Sequence, residues 1–279
     1  MKWPGGKRRV LKHIQPVTPT EFEAYYEPFL GGGAVLMDLD PKMGFASDIN
    51  SELINAYNVI KSSPGSLLDE LKKHEKKNDL AYFLKVRAYD RDAKLFSTMT
   101  DVEKAARAIY LNRTCFNGLY RVNASNQFNV PYGNYSDPKI VDTTNINALS
   151  SWFNKHQVVF KHQSYDQTLA NVIPGSFVYL DPPYVPASPT ASFTSYTSGK
   201  FNMADQEQVA ETAKRLDKEG NMVLLSNSDT PIVRELYKDF TIKSIDVTRS
   251  IGASGGTRKK AGEVLIISDM LAENLNLSD

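Results

Sequence analysis

The residues best suited to chemistry follow one apolar segment. Residues 177–180 (FVYL) are followed directly by Asp181, Pro182, Pro183 and Tyr184. Continuous apolar, β-branched and aromatic residues are typical of a central parallel strand that is covered on both faces. Because neither proline can donate a ladder hydrogen bond, the strand must end near Asp181. The sequence therefore predicts a carboxylate at the carboxyl end of a buried strand, which is where open α/β sheets bind ligands.

This motif is suited to an amino group on a planar base. Because Pro182 precedes another proline, its backbone is extended and its carbonyl oxygen has no helical N–H partner. That oxygen and the Asp181 carboxylate form a pair of acceptors for an amine with two hydrogens. Tyr184 offers a flat face for stacking. In the alternative, Asp181 only caps the following turn and Tyr184 only packs, and the motif alone leaves both interpretations open.

The composition indicates the class of protein. With 279 residues, 41% hydrophobic and 23% charged, the chain is typical of a soluble globular protein with room for one large domain plus an insertion. The single cysteine, Cys115, excludes an intramolecular disulfide and suits packing in a reducing cytosol. No apolar run approaches the roughly 20 residues of a membrane span, so we expect a cytoplasmic protein. The net charge of +1 requires any polyanion to be bound by local patches.

A second candidate site surrounds three glycines. Residues 25–30 predict a short strand that leads into the glycines at 31–33, and a helix follows. Glycines allow close approach of a nucleoside or phosphate, although a tight turn without ligand would look the same. Asp48 ends the next predicted strand about 20 residues later, which is the spacing of acids that hold ribose hydroxyls. An N-cap is the alternative role for Asp48, but Ser51 could perform it, so we favour the ribose role.

The middle of the chain predicts an inserted subdomain. From residue 51 to 115 the apolar residues recur at helical spacing and no strand signal interrupts them. We interpret its charged residues as a solvated face: Arg87, Arg91, Lys94, Arg107 and Arg113. Two extended runs then flank residues 124–126 and predict a hairpin rich in aromatics, asparagine and arginine. Such a mixture suits base edges and phosphates, and a surface hairpin without ligand remains an equal alternative.

The order of these segments resembles the Dam-type, α-group family of DNA adenine-N6 methyltransferases, which read GATC. The resemblance rests on the glycine loop at 27–33 (EPFLGGG), on the hairpin segments 117–123 (NGLYRVN) and 128–135 (FNVPYGNY), and on the DPPY motif at 181–184. It covers nearly the whole chain. It implies an α/β fold of the class I S-adenosylmethionine-dependent methyltransferases, Rossmann-like with a mostly parallel sheet. The catalytic domain would span 1–53 and 157–279, and residues 54–156 would form a helical target-recognition domain with its hairpin at about 117–135.

The resemblance also implies a role for each matching residue. S-adenosylmethionine would be bound by Trp3, Lys7, Glu27, Phe29, Gly31, Gly33, Asp48, Ser164, Tyr165 and Asp181. Double-stranded DNA would be contacted by Lys2, Phe116, Asn117, Leu119, Arg121, Pro131, Tyr135 and Arg258. Phe116 and Asn117 fall at a wedge between base pairs, and Leu119 and Arg121 fall at base-reading positions. Asn134 stands where several relatives carry Arg. Ser164 stands where many relatives carry Asp, although others share the Ser-Tyr form.

The expected reaction is transfer of a methyl group from S-adenosylmethionine to N6 of adenine in duplex DNA, within GATC. The base must be flipped out of the helix to meet Asp181, Pro182 and Tyr184, and the chemistry needs no metal. The long loop 185–202 predicts a lid with Phe193 and Tyr196 as candidate contacts. A catalytically silent DNA-binding protein and a methyltransferase acting on protein glutamine or RNA are the alternatives. The intact DPPY motif disfavours both, since the latter typically has Asn at the acidic position. A cognate restriction endonuclease remains an open partner.

Overall fold

The computed structural model describes residue 3 and residues 5–185, 201–246 and 262–277. Four predicted contact residues lie outside these ranges: Lys2, Phe193, Tyr196 and Arg258. The fold and the sites are therefore derived from the remaining residues.

Seven strands form one mixed sheet in the order β3-β2-β1-β4-β5-β7-β6. The strands are β1 (Tyr25–Glu27), β2 (Gly44–Asp48), β3 (Val159–His162), β4 (Phe177–Leu180), β5 (Met222–Ser228), β6 (Thr241–Ile245) and β7 (Glu263–Ile267). All neighbours are parallel except β7, which is antiparallel to both β5 and β6. The predicted α/β class and mostly parallel sheet are confirmed.

Strand β4 lies at the centre of the sheet, between β1 and β5. All four of its residues are buried, and they alternate between two hydrophobic clusters. Phe177 and Tyr179 pack with the helices on one face, and Val178 and Leu180 pack on the other. Because the chain continues to β2 on one side of β1 and to β5 on the far side of β4, the strand order reverses between β1 and β4. Ligands bind at the carboxyl ends of strands at such a switch point.

Helices cover both faces of the sheet. They are α1 (Leu11–Ile14), α2 (Ala34–Leu39), α3 (Ser51–Ser62), α4 (Pro64–Glu75), α5 (Leu80–Arg87), α6 (Ala93–Thr98), α7 (Asp101–Thr114), α8 (Thr143–Lys155), α9 (Tyr165–Thr168), α10 (Met203–Lys218), α11 (Pro231–Leu236) and α12 (Asp269–Asn274). The longest ones begin at side-chain caps, such as the capping box of Thr100 and Glu103 at α7. Among the helices described here, none is long and apolar enough to cross a membrane.

The segment between β2 and β3 is helical, as predicted, and every residue in it is described. Its first helix, α3, runs through the predicted domain boundary at residues 53 and 54 and shares one hydrophobic cluster with the sheet. The predicted hairpin is a turn at residues 123–126 whose two flanking segments are joined by two isolated bridges, Val122 with Phe128 and Cys115 with Tyr132. These segments are not regular strands. The division into a catalytic and a recognition domain stays a prediction.

The helical segment contains a buried ion network that the sequence interpretation missed. The Arg107 side chain is fully buried, and its guanidinium lies 2.7 Å from Asp90 Oδ2 and 3.1 Å from Glu52 Oε1. It also donates to the Val86 carbonyl oxygen at 3.0 Å. The prediction that Arg107 lies on a solvated face was therefore wrong. Two carboxylates and the carbonyl oxygens of Val86 and Arg87 replace water around this guanidinium, as a buried charge requires.

Candidate active site

The Asp181 carboxylate lies directly after β4, in contact with a lysine and a serine. Lys7 Nζ lies 2.8 Å from Asp181 Oδ1, and Ser226 Oγ donates to the same oxygen at 2.9 Å. Ser226 is placed there by the sheet, because Leu180 is paired with Leu225 in the parallel register of β4 and β5. Tyr179 shares a 2.8 Å hydrogen bond with Ser226 and holds its hydroxyl group. We call Lys7, Asp181, Tyr184 and Ser226 the strand-end cluster.

Two hydrogen-bond acceptors at this strand end, Asp181 Oδ2 and the Pro182 carbonyl oxygen, have no donor among the described residues. Among the described residues, Lys7 and Ser226 both bind Asp181 Oδ1, and no donor is paired with Oδ2 or with the Pro182 carbonyl oxygen. The next carbonyl, that of Pro183, is already used, since Gln206 Nε2 donates to it at 2.6 Å. One carboxylate oxygen is thus fixed by its neighbours, while the other oxygen and one peptide carbonyl can accept hydrogen bonds from a ligand.

Lys7 is buried and charged because of its acidic partner. Its ammonium donates to the Gly5 carbonyl oxygen at 3.1 Å and lies 4.7 Å from the centre of the Tyr184 ring. Burial is the largest single influence and disfavours the charged form, but Asp181 and Tyr184 together outweigh it and raise the pKa of Lys7 above its ordinary value. Burial in turn raises the pKa of Asp181, and Lys7 and Ser226 oppose that shift. The two groups therefore stabilise each other as an ion pair.

Tyr184 is fixed through its hydroxyl group and through the face of its ring. Its hydroxyl group donates to Glu263 Oε2 on β7 at 3.2 Å, and Lys7 lies over its ring. The next residue, Val185, donates its N–H to Asn227 Oδ1 at 3.1 Å. The segment after β4 is therefore fixed by two strands of the sheet, β5 and β7, and by Lys7 near the amino end of the chain, which gives the predicted stacking residue a defined position.

The glycine loop after β1 is joined to Asp48 after β2. Gly31 and Gly33 have φ values of 47° and 62°, which favour glycine. The Gly31 N–H donates to Asp48 Oδ2 at 3.0 Å, and the Asn50 N–H donates to Oδ1 at 2.9 Å. Asn50, whose Oδ1 accepts from the Leu53 N–H, is the cap of α3. Asp48 is therefore not the helix cap, and neither is Ser51.

The loop is packed closely on its outer side. A Cβ atom added at Gly31 would lie 2.9 Å from Cδ1 of the Trp3 ring, so the indole lies directly against the glycine backbone. Tyr57 on α3 donates its hydroxyl hydrogen to the Gly31 carbonyl oxygen at 3.1 Å. Trp3, Gly31 and Asp48 thus form one continuous wall at the ends of β1 and β2.

Glu27 is a buried carboxyl group at the end of β1. It accepts hydrogen bonds from the Tyr25 hydroxyl at 2.9 Å and from the Leu36 N–H at 3.0 Å. Burial is the largest influence on this group, and together with the nearby Asp181 charge it raises the pKa of Glu27 to about 8 despite both bonds. Glu27 is therefore largely protonated near neutral pH and adds little negative charge beside Asp181.

An aromatic pair lies at the opposite end of the loop. The Phe29 and Tyr165 rings stack with centres 5.4 Å apart, and Tyr165 is the first residue of α9. Ser164 bonds through its hydroxyl group and its N–H to Gln167 Oε1, so its observed role is at the start of that helix. Residues predicted to bind the cofactor thus line the carboxyl ends of β1 to β4.

These side chains suit a nucleoside with a cationic group. Asp48 can accept hydrogen bonds from ribose hydroxyls, the aromatic pair can pack on a purine, and the glycine backbone permits close approach. Among the residues described, no group of three or more His, Cys, Asp or Glu side chains is arranged to hold a metal ion.

The residues predicted to contact DNA form a second group. Tyr135 Oη accepts a 2.8 Å hydrogen bond from the Asn117 N–H, and the Pro131 carbonyl oxygen accepts one from the Phe116 N–H. Phe116 is 51% exposed although it is a large apolar side chain. Arg121 is exposed and donates to the Asn129 carbonyl oxygen at 2.6 Å. The hairpin, residues 116–135, thus presents an aromatic and a cation to solvent.

Three charged side chains hold the returning segment of the hairpin, and sequence reasoning missed this role for all of them. Asp90 Oδ2 accepts from the Phe128 N–H at 2.7 Å, and Arg91 donates to the Phe128 carbonyl oxygen at 2.8 Å. Arg87 donates to the Val130 carbonyl oxygen at 3.3 Å. We call these residues the clamp. They satisfy backbone groups that a neighbouring strand would otherwise satisfy. No spacing in the sequence indicates such bonds.

Comparison with known proteins shows similarity to DNA adenine methyltransferases over nearly the whole chain. Residues 3–251 match the D12 class N6 adenine-specific DNA methyltransferase family. A type II methyltransferase of Lactococcus lactis subsp. cremoris, M1.LlaDCHI, is 44% identical over 95% of this chain and 93% of its own length. The type II methyltransferase M.MjaIII of Methanocaldococcus jannaschii is 38% identical over 96% and 97%. The DNA adenine methylase of Escherichia coli is 35% identical over 96% and 94%.

Proposed function

Because the chain belongs to the D12 class N6 adenine-specific DNA methyltransferase family, we propose that it methylates adenine within GATC and takes the target base out of the duplex to do so. The observation that carries the proposal is the pair of available acceptors, Asp181 Oδ2 and the Pro182 carbonyl oxygen. An exocyclic amine has two hydrogens and therefore matches two acceptors.

The two acceptors would make the amine a better nucleophile. Hydrogen bonds from both N–H groups to Asp181 and Pro182 disfavour delocalisation of the nitrogen lone pair into the ring. They also stabilise the positive charge that develops on nitrogen. Lys7 and Ser226 fix Oδ1 and thereby orient the carboxylate before the base arrives. Tyr184 would stack on the flipped ring, since its own ring is held by Lys7 and Glu263.

The family implies S-adenosylmethionine as methyl donor, and when bound it supplies an electrophilic methyl group on a sulfonium centre. We propose that Asp48 holds its ribose, that Phe29 and Tyr165 pack on its adenine, and that the remaining predicted residues line the pocket: Trp3, Lys7, Glu27, Gly31, Gly33 and Ser164.

The hairpin supports the choice of duplex DNA as substrate. Phe116 is exposed at the start of the hairpin, where an aromatic wedge could separate two base pairs. The Pro131 carbonyl oxygen accepts from the Phe116 N–H, and Tyr135 bonds to the neighbouring Asn117. Leu119 and Arg121 would read base edges, and arginine can bind guanine bidentately. Lys2 and Arg258 are proposed as further DNA contacts from the sequence alone. The relatives named type II methyltransferases suggest that a cognate restriction endonuclease exists.

A methyl-transfer assay tests the proposal. The purified protein is incubated with radiolabelled S-adenosylmethionine and a duplex that contains one GATC site, and the labelled nucleoside is identified after digestion. We expect N6-methyladenine in that duplex and at least about 100-fold less label in a duplex with GTAC, as a change of two base pairs typically costs several kcal/mol. Equal labelling of both duplexes would overturn GATC specificity. Label at cytosine, or none at all, would overturn the reaction.

A further inference from the structure

Tyr120 joins the hairpin to the wall of the proposed cofactor pocket. Its ring is 8% exposed and stacks on Trp3, with ring centres 4.7 Å apart and an angle of 26° between the planes. Trp3 in turn lies against Gly31, where an added Cβ would approach the indole to 2.9 Å. A continuous contact therefore runs from the hairpin through two aromatic rings to the glycine loop.

A second contact joins Tyr120 to the proposed ribose-binding residue. The Asn50 side chain lies near the Tyr120 hydroxyl group, where it opposes the rise in the pKa of Tyr120 that burial, the larger effect, produces. The Asn50 N–H donates to Asp48 Oδ1 at 2.9 Å, and Asp48 Oδ2 accepts from the Gly31 N–H. Trp3 thus lies between Tyr120 and Gly31, and Asn50 lies between Tyr120 and Asp48.

The chain direction places Tyr120 between two proposed base-reading residues. Alternate side chains of an extended segment point to opposite sides. Leu119 is half-buried, Tyr120 is buried, Arg121 is exposed and Val122 is buried. The side of the segment that carries Arg121 faces solvent, while the side that carries Tyr120 faces Trp3. A shift of the Tyr120 ring therefore moves the backbone that carries Leu119 and Arg121.

The other side of the Tyr120 ring contacts a fixed part of the hairpin. Phe128 packs edge-on against it, with ring centres 5.7 Å apart. The clamp residues Asp90 and Arg91 hold the Phe128 N–H and carbonyl group. Because the clamp restrains one neighbour of Tyr120, we expect a change at Trp3 to shift the Leu119 and Arg121 side of the hairpin rather than the whole loop.

We propose that Tyr120 couples cofactor binding to DNA recognition: occupation of the pocket beside Trp3 and Asp48 fixes the Tyr120 ring and, with it, Leu119 and Arg121 in the position that reads the target sequence. The proposal rests on the proposed function. Coupling of this kind is reciprocal, so the cofactor raises the affinity for the target duplex by the same factor as the duplex raises the affinity for the cofactor.

Binding measurements in the presence and absence of S-adenosylhomocysteine, the reaction product, test the coupling. Fluorescence anisotropy gives the Kd of a GATC duplex with and without saturating product, and the ratio of the two values is the coupling factor. For the unaltered protein we expect a factor of about 5–150. Tyr120→Leu should reduce it to within about twofold of 1, and Tyr120→Phe, which keeps the stack, should retain most of it. Tyr82→Leu is the matched control and should leave the factor unchanged, because Tyr82 packs on His74 and Tyr110, away from the hairpin ring contact.

The native tryptophans provide a measurement that does not depend on folding of the Tyr120 variants. The chain has two tryptophans, Trp3 and Trp152. In a Trp152→Phe protein the emission reports on Trp3 alone. A GATC duplex added without cofactor should change that emission, whereas a GTAC duplex at the same concentration should not. No change with the GATC duplex, or an unaltered coupling factor in folded Tyr120→Leu, overturns the proposal. If the unaltered protein methylates GATC specifically but has a coupling factor of 1, the inference fails and the proposed function stands.

Discussion

The strand-end cluster and the hairpin are held in place by different means. Asp181 and Ser226 are neighbours because β4 and β5 are paired in a fixed parallel register within a buried sheet. The hairpin has two isolated bridges and backbone hydrogen bonds between its own two segments, and the clamp side chains bond its returning segment. The position of the proposed catalytic acceptors therefore follows from the main chain of the sheet. The position of the proposed recognition residues depends on the hairpin's own bonds and on the clamp, so it can be altered without disturbing the sheet.

This difference implies separable effects of mutation. Changes in the strand-end cluster should affect methyl transfer and leave sequence preference intact, whereas changes in the hairpin and the clamp should do the reverse. Asp181→Ala and Arg121→Ala test this separation, and Arg107→Leu and Glu27→Gln test what stabilises the helical segment and the sheet. The four variants are ordered from the largest expected effect to the smallest.

Asp181→Ala should reduce the rate of methyl transfer at least about 1,000-fold, because it removes one of the two acceptors of the amine together with the partner of buried Lys7. The affinity for a GATC duplex should change by less than about tenfold. Single-turnover assays and anisotropy measure the two quantities. Asp239→Asn, at an exposed carboxylate on the surface, is the control and should behave like the unaltered protein. Substantial methyl transfer by Asp181→Ala would refute its role.

Arg107→Leu should lower the free energy of unfolding by about 3–5 kcal/mol, since it leaves the Asp90 and Glu52 carboxylates without their shared buried cation. Urea denaturation measures the loss. The matched control is Arg215→Ala, which removes an exposed ion pair with Glu219 and should cost no more than about 1 kcal/mol. Equal losses for the two variants would show that the buried network does not stabilise the helical segment.

Arg121→Ala should weaken the discrimination between GATC and altered sequences. We expect the ratio of kcat/KM for GATC over a duplex with one altered base pair to fall about 10–100-fold, as one bidentate base contact contributes about 1–3 kcal/mol of discrimination. Methylation of GATC should continue, because within the described part of the chain the Arg121 side chain bonds only to the hairpin itself. Arg234→Ala, which removes a surface arginine bonded to Asp229, is the control. An unchanged ratio for Arg121→Ala would remove Arg121 from the recognition residues.

Glu27→Gln should change how stability depends on pH. The pKa of Glu27 is about 8 in the folded protein and ordinarily 4.5, so the folded protein binds an extra proton between these values. The contribution of this group to stability is full below about pH 4.5 and is lost as the pH rises towards 8. Gln cannot release that proton. The melting temperature of Glu27→Gln relative to the unaltered protein should therefore increase by about 2–4 °C or more between pH 5.5 and 8.5. A constant difference in melting temperature between the two proteins across this pH range would mean that the Glu27 carboxyl group titrates normally.

The sequence was informative wherever chemistry coincides with the end of a strand. Asp181 was found because it ends an apolar run and precedes two prolines, and Asp48 because it ends a predicted strand about 20 residues after the glycines. The sheet places Asp181 at the switch point and Asp48 at the end of β2, next to β1. The hydrophobic pattern predicted β4 for the same reason, since burial on both faces leaves a continuous apolar segment.

Residues that act through tertiary contacts were not predictable in this way. Ser226 could have been found by aligning the ends of the two neighbouring predicted strands. Arg107 and the clamp could not, because a buried arginine and an exposed one look alike in a helical pattern and their partners are distant in sequence. The same holds for Tyr120, whose partner Trp3 lies more than a hundred residues away.

The most direct test of the account is the structure of the protein with S-adenosylhomocysteine and a GATC duplex. We predict that N6 of the target adenine lies outside the helix, about 2.7–3.2 Å from both Asp181 Oδ2 and the Pro182 carbonyl oxygen, with Lys7 and Ser226 still bound to Oδ1. A target adenine that stays stacked in the duplex, or an N6 atom bound by neither oxygen, would contradict it.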